Sequence, residues 1–291
     1  MGDDLMIEEV IFTNARGQSI KFSNQKPFLL QSIEGKADVS ADIQTQSAPF
    51  QDGSTYIDSY LQQRSIALNV SILAENNLSM LEQRQLLVSV CNPKFGLGKL
   101  TYIKGNTKRE IQAVVENVPV FGVGRENNGI RFQRTIINFL CPSPFWQEFF
   151  TESYKLEDFV SNFRFPFYFP VRFATRGDSK VLINNGDVPT PIVVEFRGPV
   201  VNPQITNITT GEFIRVNREI PTGYKLFLDT SFGNKQVEIE SPNGVKENAF
   251  HYIDLQSTFF HLNVGENRVA FITDSGNPEV YVKFKQKYLS V

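Results

Sequence analysis

The sequence predicts a mainly β protein: an α+β domain followed by a β-sandwich. Three observations carry this. The chain of 291 residues holds 26 Phe and 9 Tyr, and aromatic side chains favour pleated, half-buried surfaces. Residues 64–73 alternate, with Ile66, Leu68, Val70 and Ile72 on one face and Ser65, Ala67, Asn69 and Ser71 on the other, which is the period of a strand. From about residue 175 onward, short alternating runs recur between turn signals, with no helical spacing.

The elements follow in order. After the strand at 64–73, residues 79–93 (SMLEQRQLLVSVCNP) predict a helix of about 12–15 residues. Ser79 and Glu82 have the spacing of a capping box. Leu78, Leu81 and Gln85, or Gln83, Leu87 and Val90, form its stripe, and Pro93 stops it. Leu100–Ile103 and Arg109–Glu116 then read as a β-hairpin around Gly105-Asn106, with Ile111, Ala113 and Val115 sharing a face. GVGRENNG, residues 122–129, is a polar loop, and Ile130–Leu140 is another strand. The segment from Cys141 to Phe173 holds four prolines and a dense aromatic series. It is too apolar for a flexible linker and reads as a packed connector. Beyond it come runs such as Ile192-Val194-Phe196, Tyr224-Leu226-Leu228, Val237-Ile239, Phe259–Val264, Val269-Phe271 and Val280-Val282-Phe284. The expected domains are therefore 1–150, a connector at 151–174, and a β-sandwich at 175–291.

Charge and composition exclude several classes. Lys and Arg total 29 against 31 Asp and Glu, and neither half is basic enough to bind nucleic acid on charge alone. No apolar run approaches the roughly 20 residues of a membrane helix. The start, MGDDLMIEEV, lacks the apolar core of a signal peptide. Cys91 and Cys141 are too few for a disulfide framework or a four-cysteine zinc site, and are expected to be reduced and buried.

Catalytic chemistry is poorly supplied. His251 and His261 are the two histidines. They are expected on strands, in no metal-binding or nucleophile-activating spacing. No G-x-S-x-G elbow occurs. Gly96-Leu97-Gly98-Lys99 and Gly122-Val123-Gly124 lack the contexts of phosphate-binding loops and read as turns. The expected set of catalytic, metal and cofactor residues is therefore empty. Tyr224, Phe232, Tyr252 and Phe260 are candidates for stacking on a sugar, against the reading that they are core aromatics. Lys283, Lys285 and Lys287 share one face of the last strand, 279–288, and read as a solvated edge. The segment 44–60 (QTQSAPFQDGSTYIDSY) and the loop 122–129 are too long and polar for simple turns, and are expected at ring or tube contacts of an assembly.

The order of motifs over about residues 50–150 resembles the distal tail protein family of siphophages. Arg64-Ser65-Ile66 opens a strand. A helix follows, then Asn92–Tyr102 (NPKFGLGKLTY), Arg109-Glu110-Ile111, Glu116–Phe121, and the tag Cys141–Trp146 (CPSPFW). Leu262–Asn267 (LNVGEN) and the terminal strand look like that family's galectin-like second domain. The resemblance implies a non-enzymatic structural protein of the virion tail tip, assembled in the bacterial host cytoplasm. Its first domain would form a hexameric ring with a channel for DNA passage. Its partners would be the tail tube protein, a tail-tip fibre or lysin protein and a receptor-binding protein, with no sequence-specific nucleic acid and no membrane. The alternative is a carbohydrate-binding module of the host-adhesion apparatus, with weak saccharide binding by the second domain. A cell-wall hydrolase is a third, weaker reading.

Overall fold

A computed structural model describes residues 8–156 and 179–291. The chain divides into two compact units, one comprising residues up to Phe149 together with Tyr288–Val291, the other Phe150–Lys287.

The first unit contains β1 (Glu8–Thr13), β2 (Ser19–Phe22), β3 (Phe28–Glu34), β4 (Ala41–Gln46), β5 (Thr55–Leu61), β6 (Arg64–Leu73), α1 (Asn77–Val90), β7 (Gly98–Lys104), β8 (Thr107–Val115), β9 (Val120–Phe121), β10 (Phe132–Cys141) and β11 (Trp146–Glu148). The main sheet runs β2-β1-β7-β8-β10-β6-β3. A bridge between Ser23 and Leu29 brings its two ends together. The alternation of β6 does what the sequence predicts: Ile66, Leu68, Val70 and Ile72 are all buried. Its antiparallel partner β10 runs alongside for its whole length, from Phe132 opposite Leu73 to Cys141 opposite Arg64. Phe12 and Phe139 meet inside at 4.9 Å between ring centroids. The β7–β8 turn needs a positive φ at its first central residue, and Gly105 supplies it at 56°.

The helix forms where expected but is held differently. Its N-cap is Asn76, whose side chain accepts from the Ser79 amide, so Ser79 lies in the first turn and is not the cap. Met80, Leu87 and Val90 are buried, whereas Leu78 and Leu81 face solvent. At the other end the orphan carbonyl of Val90 accepts from Asn14 Nδ2 at 3.2 Å, which ties the helix to the β1–β2 turn. Pro93 opens a short 3-10 turn, Pro93–Phe95, capped by Asn92.

The second unit is a β-sandwich. One sheet holds seven strands, in the order Glu152–Leu156, Glu279–Phe284, Thr190–Arg197, Lys225–Asp229, Gln236–Glu240 and Lys246–Asn248, with His261–Leu262 on its flank. The other holds Ser179–Asn184, Gly265–Ile272, Gln204–Asn207 and Glu212–Arg215. Val194, Phe196, Leu226, Leu228, Val280 and Val282 from the first pack with Leu182, Ile205, Ile214, Val269 and Phe271 from the second.

Several expectations are revised. The terminal strand is not an edge: Glu279–Phe284 is paired on both sides, and Lys283 bonds Glu195 at 2.8 Å. The run Phe259–Val264 contains only a two-residue strand, His261–Leu262. His251 lies in a 3-10 turn, Phe250–Tyr252, rather than a strand. Of the connector expected at 151–174, Glu152–Leu156 forms a strand of the second unit, and residues 157–174 lie outside the described residues. Residues 288–291, read from sequence as part of the second domain, belong to the first unit.

Candidate assembly surface

The segment at 44–60 is only partly loop: residues 47–54 connect two strands. It is the outer part of an antiparallel ribbon, β4 paired with β5, that continues the β3–β6 pair beyond the main sheet. Every residue of both strands is exposed. Register divides the ribbon into two faces. Ala41, Ile43, Tyr56 and Leu61 share one with Thr45 and Ser59, while Asp42, Asp58 and Tyr60 share the other with Gln44, Gln46 and Thr55. Tyr56 and Ile57 are 61% and 59% exposed.

The root of this arm is rigid. Gly35 takes a φ of 77° where the chain leaves β3, and a Cβ there would lie 1.9 Å from the Ser65 carbonyl oxygen. Opposite it Arg64 is only 1% exposed. Its guanidinium donates to the carbonyls of Pro144 (2.9 Å), Gly35 (2.9 Å) and Leu289. Burial pulls the pKa of Arg64 down, opposed by nearby Cys141 and Asp38, yet an arginine remains charged in a protein. Trp146 Nε1 donates to the Lys36 carbonyl at 3.1 Å. Lys36 and Tyr102 both donate to the Glu8 carboxylate at 2.7 Å. Burial alone would raise that carboxyl, but the two hydrogen bonds hold it below its ordinary value. Arg64 and the CPSPFW tag are therefore neighbours, and both brace the arm's base.

A second feature lies on the outer face of the same sheet. A groove of about 380 Å³ is lined by Gln31, Asn69, Ser71, Val120, Arg134 and Ile136 among others. The loop 122–129 borders it through Gly122 and Asn127, held by Gln133, whose amide donates to the Gly122 and Asn127 carbonyls. Arg84 stacks over Phe121 at 4.3 Å beside it.

The other sequence candidates disperse. Cys91 and Cys141 are both fully buried, and burial pushes each thiol up to about 12. His261 Nε2 lies 3.1 Å from the Thr230 carbonyl, and His251 packs on Tyr252. Phe260 is buried in the sandwich core, Tyr224 and Tyr252 pack against it, and Phe232 stands alone at 93% exposure. The four aromatics make no common platform. Gly96 ends a 3-10 turn and Gly98 opens β7. Among the described residues no group of His, Cys, Asp and Glu could hold a metal, and no helix is long and apolar enough to cross a membrane.

Comparison with known proteins places this architecture. A family model for the phage tail protein RIFT-related domain matches residues 15–141, and one for the siphovirus-type tail component, C-terminal domain, matches residues 185–288. The class is thus that of siphophage tail components. In order and extent the two matches span both units, and the chain belongs to the siphophage distal tail protein family. It is a structural protein of the distal tail or baseplate hub. Among solved structures, the Dit protein of phage SPP1, described as a paradigm of the hub adsorption apparatus in phages infecting Gram-positive bacteria, is 14% identical with a TM-score of 0.70. The match covers 97% of this chain and 99% of that one. The phage P2 baseplate in its activated conformation with Ca is 9% identical with a TM-score of 0.56, covering 98% and 99%. At these identities the likeness is one of fold. No curated protein matches the sequence.

Proposed function

We propose that six copies of the chain close into a ring through the first unit. The ring would join the tail tube above to tail-tip proteins below and leave a channel for DNA. The second domain would project outward, towards a fibre, lysin or receptor-binding protein. The protein would work without catalysis, in the virion tail tip, after assembly in the host cytoplasm.

The observation that carries this reading is the β4–β5 arm. A two-stranded ribbon is marginal in water by itself, and this one exposes Ile43, Phe50, Tyr56, Ile57 and Tyr60. Such an element is stabilised by a partner. The arm is anchored at its base and lies apart from its own core, so a neighbouring subunit is the natural cover. Relatives of the same fold are described as hub and baseplate proteins, which supports a ring in a tail.

Purified protein examined by light scattering and negative-stain electron microscopy should give rings of about six times the 33.1 kDa chain mass. A chain that remains monomeric up to millimolar concentration would sink the reading.

A further inference from the structure

We infer that the acidic arm of one copy seats in the groove beside β9 and β10 of the next copy. The inference rests on the ring reading above and names the two surfaces that meet. The first argument is charge. Between residues 37 and 63 the sequence has Asp38, Asp42, Asp52 and Asp58 and no Lys or Arg. Among the described residues Asp42, Asp52 and Asp58 make no ion pair. The groove is net of the opposite sign: Arg134 lines it, Arg84 stands at its flank, and Arg125 and Arg131 lie in or beside the bordering loop, against Glu126 and Glu34, which accept from the lining Asn127 and Asn69. None of the four arginines makes an ion pair among the described residues. Asp42 and Asp58 lie on the face of the ribbon opposite Ile43 and Tyr56, so with the apolar face seated these charges act at the rim, where they guide encounter and fix register, and not on the groove floor.

The second argument is shape and apolar surface. The arm's apolar face presents Ala41, Ile43, Tyr56 and Leu61, and the groove presents Val120 and Ile136, both exposed. The two features cannot satisfy one another within a single chain. The arm leaves the sheet at the Arg64 end of β6, whereas the groove lies at Asn69–Ser71, about 17–23 Å along the strand at its usual rise. The arm's residues are all exposed in its own chain. A contact between two different patches of the same unit is head-to-tail, the type that generates a ring when its rotation closes.

The test uses the full chain. Tyr56→Cys and Ile136→Cys are made in separate preparations, mixed, and oxidised. The native Cys91 and Cys141 are buried and stay silent. The expected product is a disulfide-linked dimer that needs both variants, and a ladder up to six chains when one chain carries both changes. In parallel, Asp42→Lys with Asp58→Lys should lower the ring fraction at least tenfold. Arg131→Glu with Arg134→Glu should do the same, and combining the two sets should restore at least half of the rings. All four positions are exposed, so thermal melting of the variants should match the parent. Parent rings that show neither the crosslink nor the charge effect overturn the arm-to-groove contact and leave the ring standing. A parent that never forms rings overturns the ring reading itself.

Discussion

Arg64 is a buried cation that makes no ion pair among the described residues. Its partners are carbonyl oxygens of Gly35, Pro144 and Leu289, which carry partial negative charge and belong to three separate stretches of chain. Substituting Leu would leave those acceptors unpaired in an apolar setting. Arg64→Leu should destabilise the first unit by about 3–5 kcal/mol. Trp146, the chain's one tryptophan, sits in that unit, so its fluorescence in a urea titration reports the loss directly. A second residue-scale prediction concerns pH. In the sandwich, burial would raise the Glu195 carboxyl, but hydrogen bonds from Lys283 (2.8 Å) and Arg197 (2.7 Å) hold it below its ordinary value. Glu8 behaves likewise in the first unit. A carboxyl depressed in the folded state binds protons less readily there than when unfolded. Its contribution is complete above the ordinary carboxylate range and disappears as pH falls through the folded pKa. Melting temperature should therefore hold from neutral pH down to about 5 and decline below that. Glu195→Gln should shrink the acid-dependent part of the decline, and an unchanged profile would remove Glu195 as a cause.

At the scale of elements, the arm separates folding from assembly. Its side chains are exposed and belong to neither core, so replacing 41–61 by a short Gly-Ser turn should leave the melting temperature within a few degrees of the parent. Rings should vanish from size-exclusion profiles of the same sample. This element also shows what the sequence hides. β6 was legible because one of its faces is buried, and burial by one face writes a period of two into the residues. β4 and β5 bury neither face in a single chain, so QTQ and TYIDSY carry no contrast and read as loop. The cap is ambiguous in the sequence for a related reason: Ser79 and Glu82 match a capping box, but Asn76 three residues earlier is an equally good acceptor, and local spacing cannot rank the two. Glu279–Phe284 looked like an edge because its lysines face outward, whereas partners supplied from Glu152–Leu156 and Thr190–Arg197 are non-local. The core cysteines could be anticipated from residue type alone. The arm's root could not, since Arg64, Trp146 and Leu289 meet only through the fold.

At the scale of the whole molecule, the first unit is discontinuous. Its chain runs to Phe149 and is completed by Tyr288–Val291, with the entire second unit between. The returning segment is specifically held. Tyr288 packs under the Arg109 guanidinium at 3.5 Å, Arg109 also donates to the Ser290 carbonyl, and Tyr288 and Val291 pack against the first core. Removing residues 288–291 should thus destabilise the first unit, although no other part of it lies within a hundred residues in sequence. Urea unfolding followed by Trp146 fluorescence should show a loss of about 2–4 kcal/mol for two partly buried apolar contacts and the severed carbonyl bonds. The sandwich, whose core residues are all its own, should melt unchanged in a probe confined to it. The truncation and Arg64→Leu share the Leu289 contact, so their effects should fall short of additive when combined, by about 0.5–3 kcal/mol. Strict additivity would mean that the tail is held by its apolar packing and Arg109 alone, and that Arg64 serves only the arm.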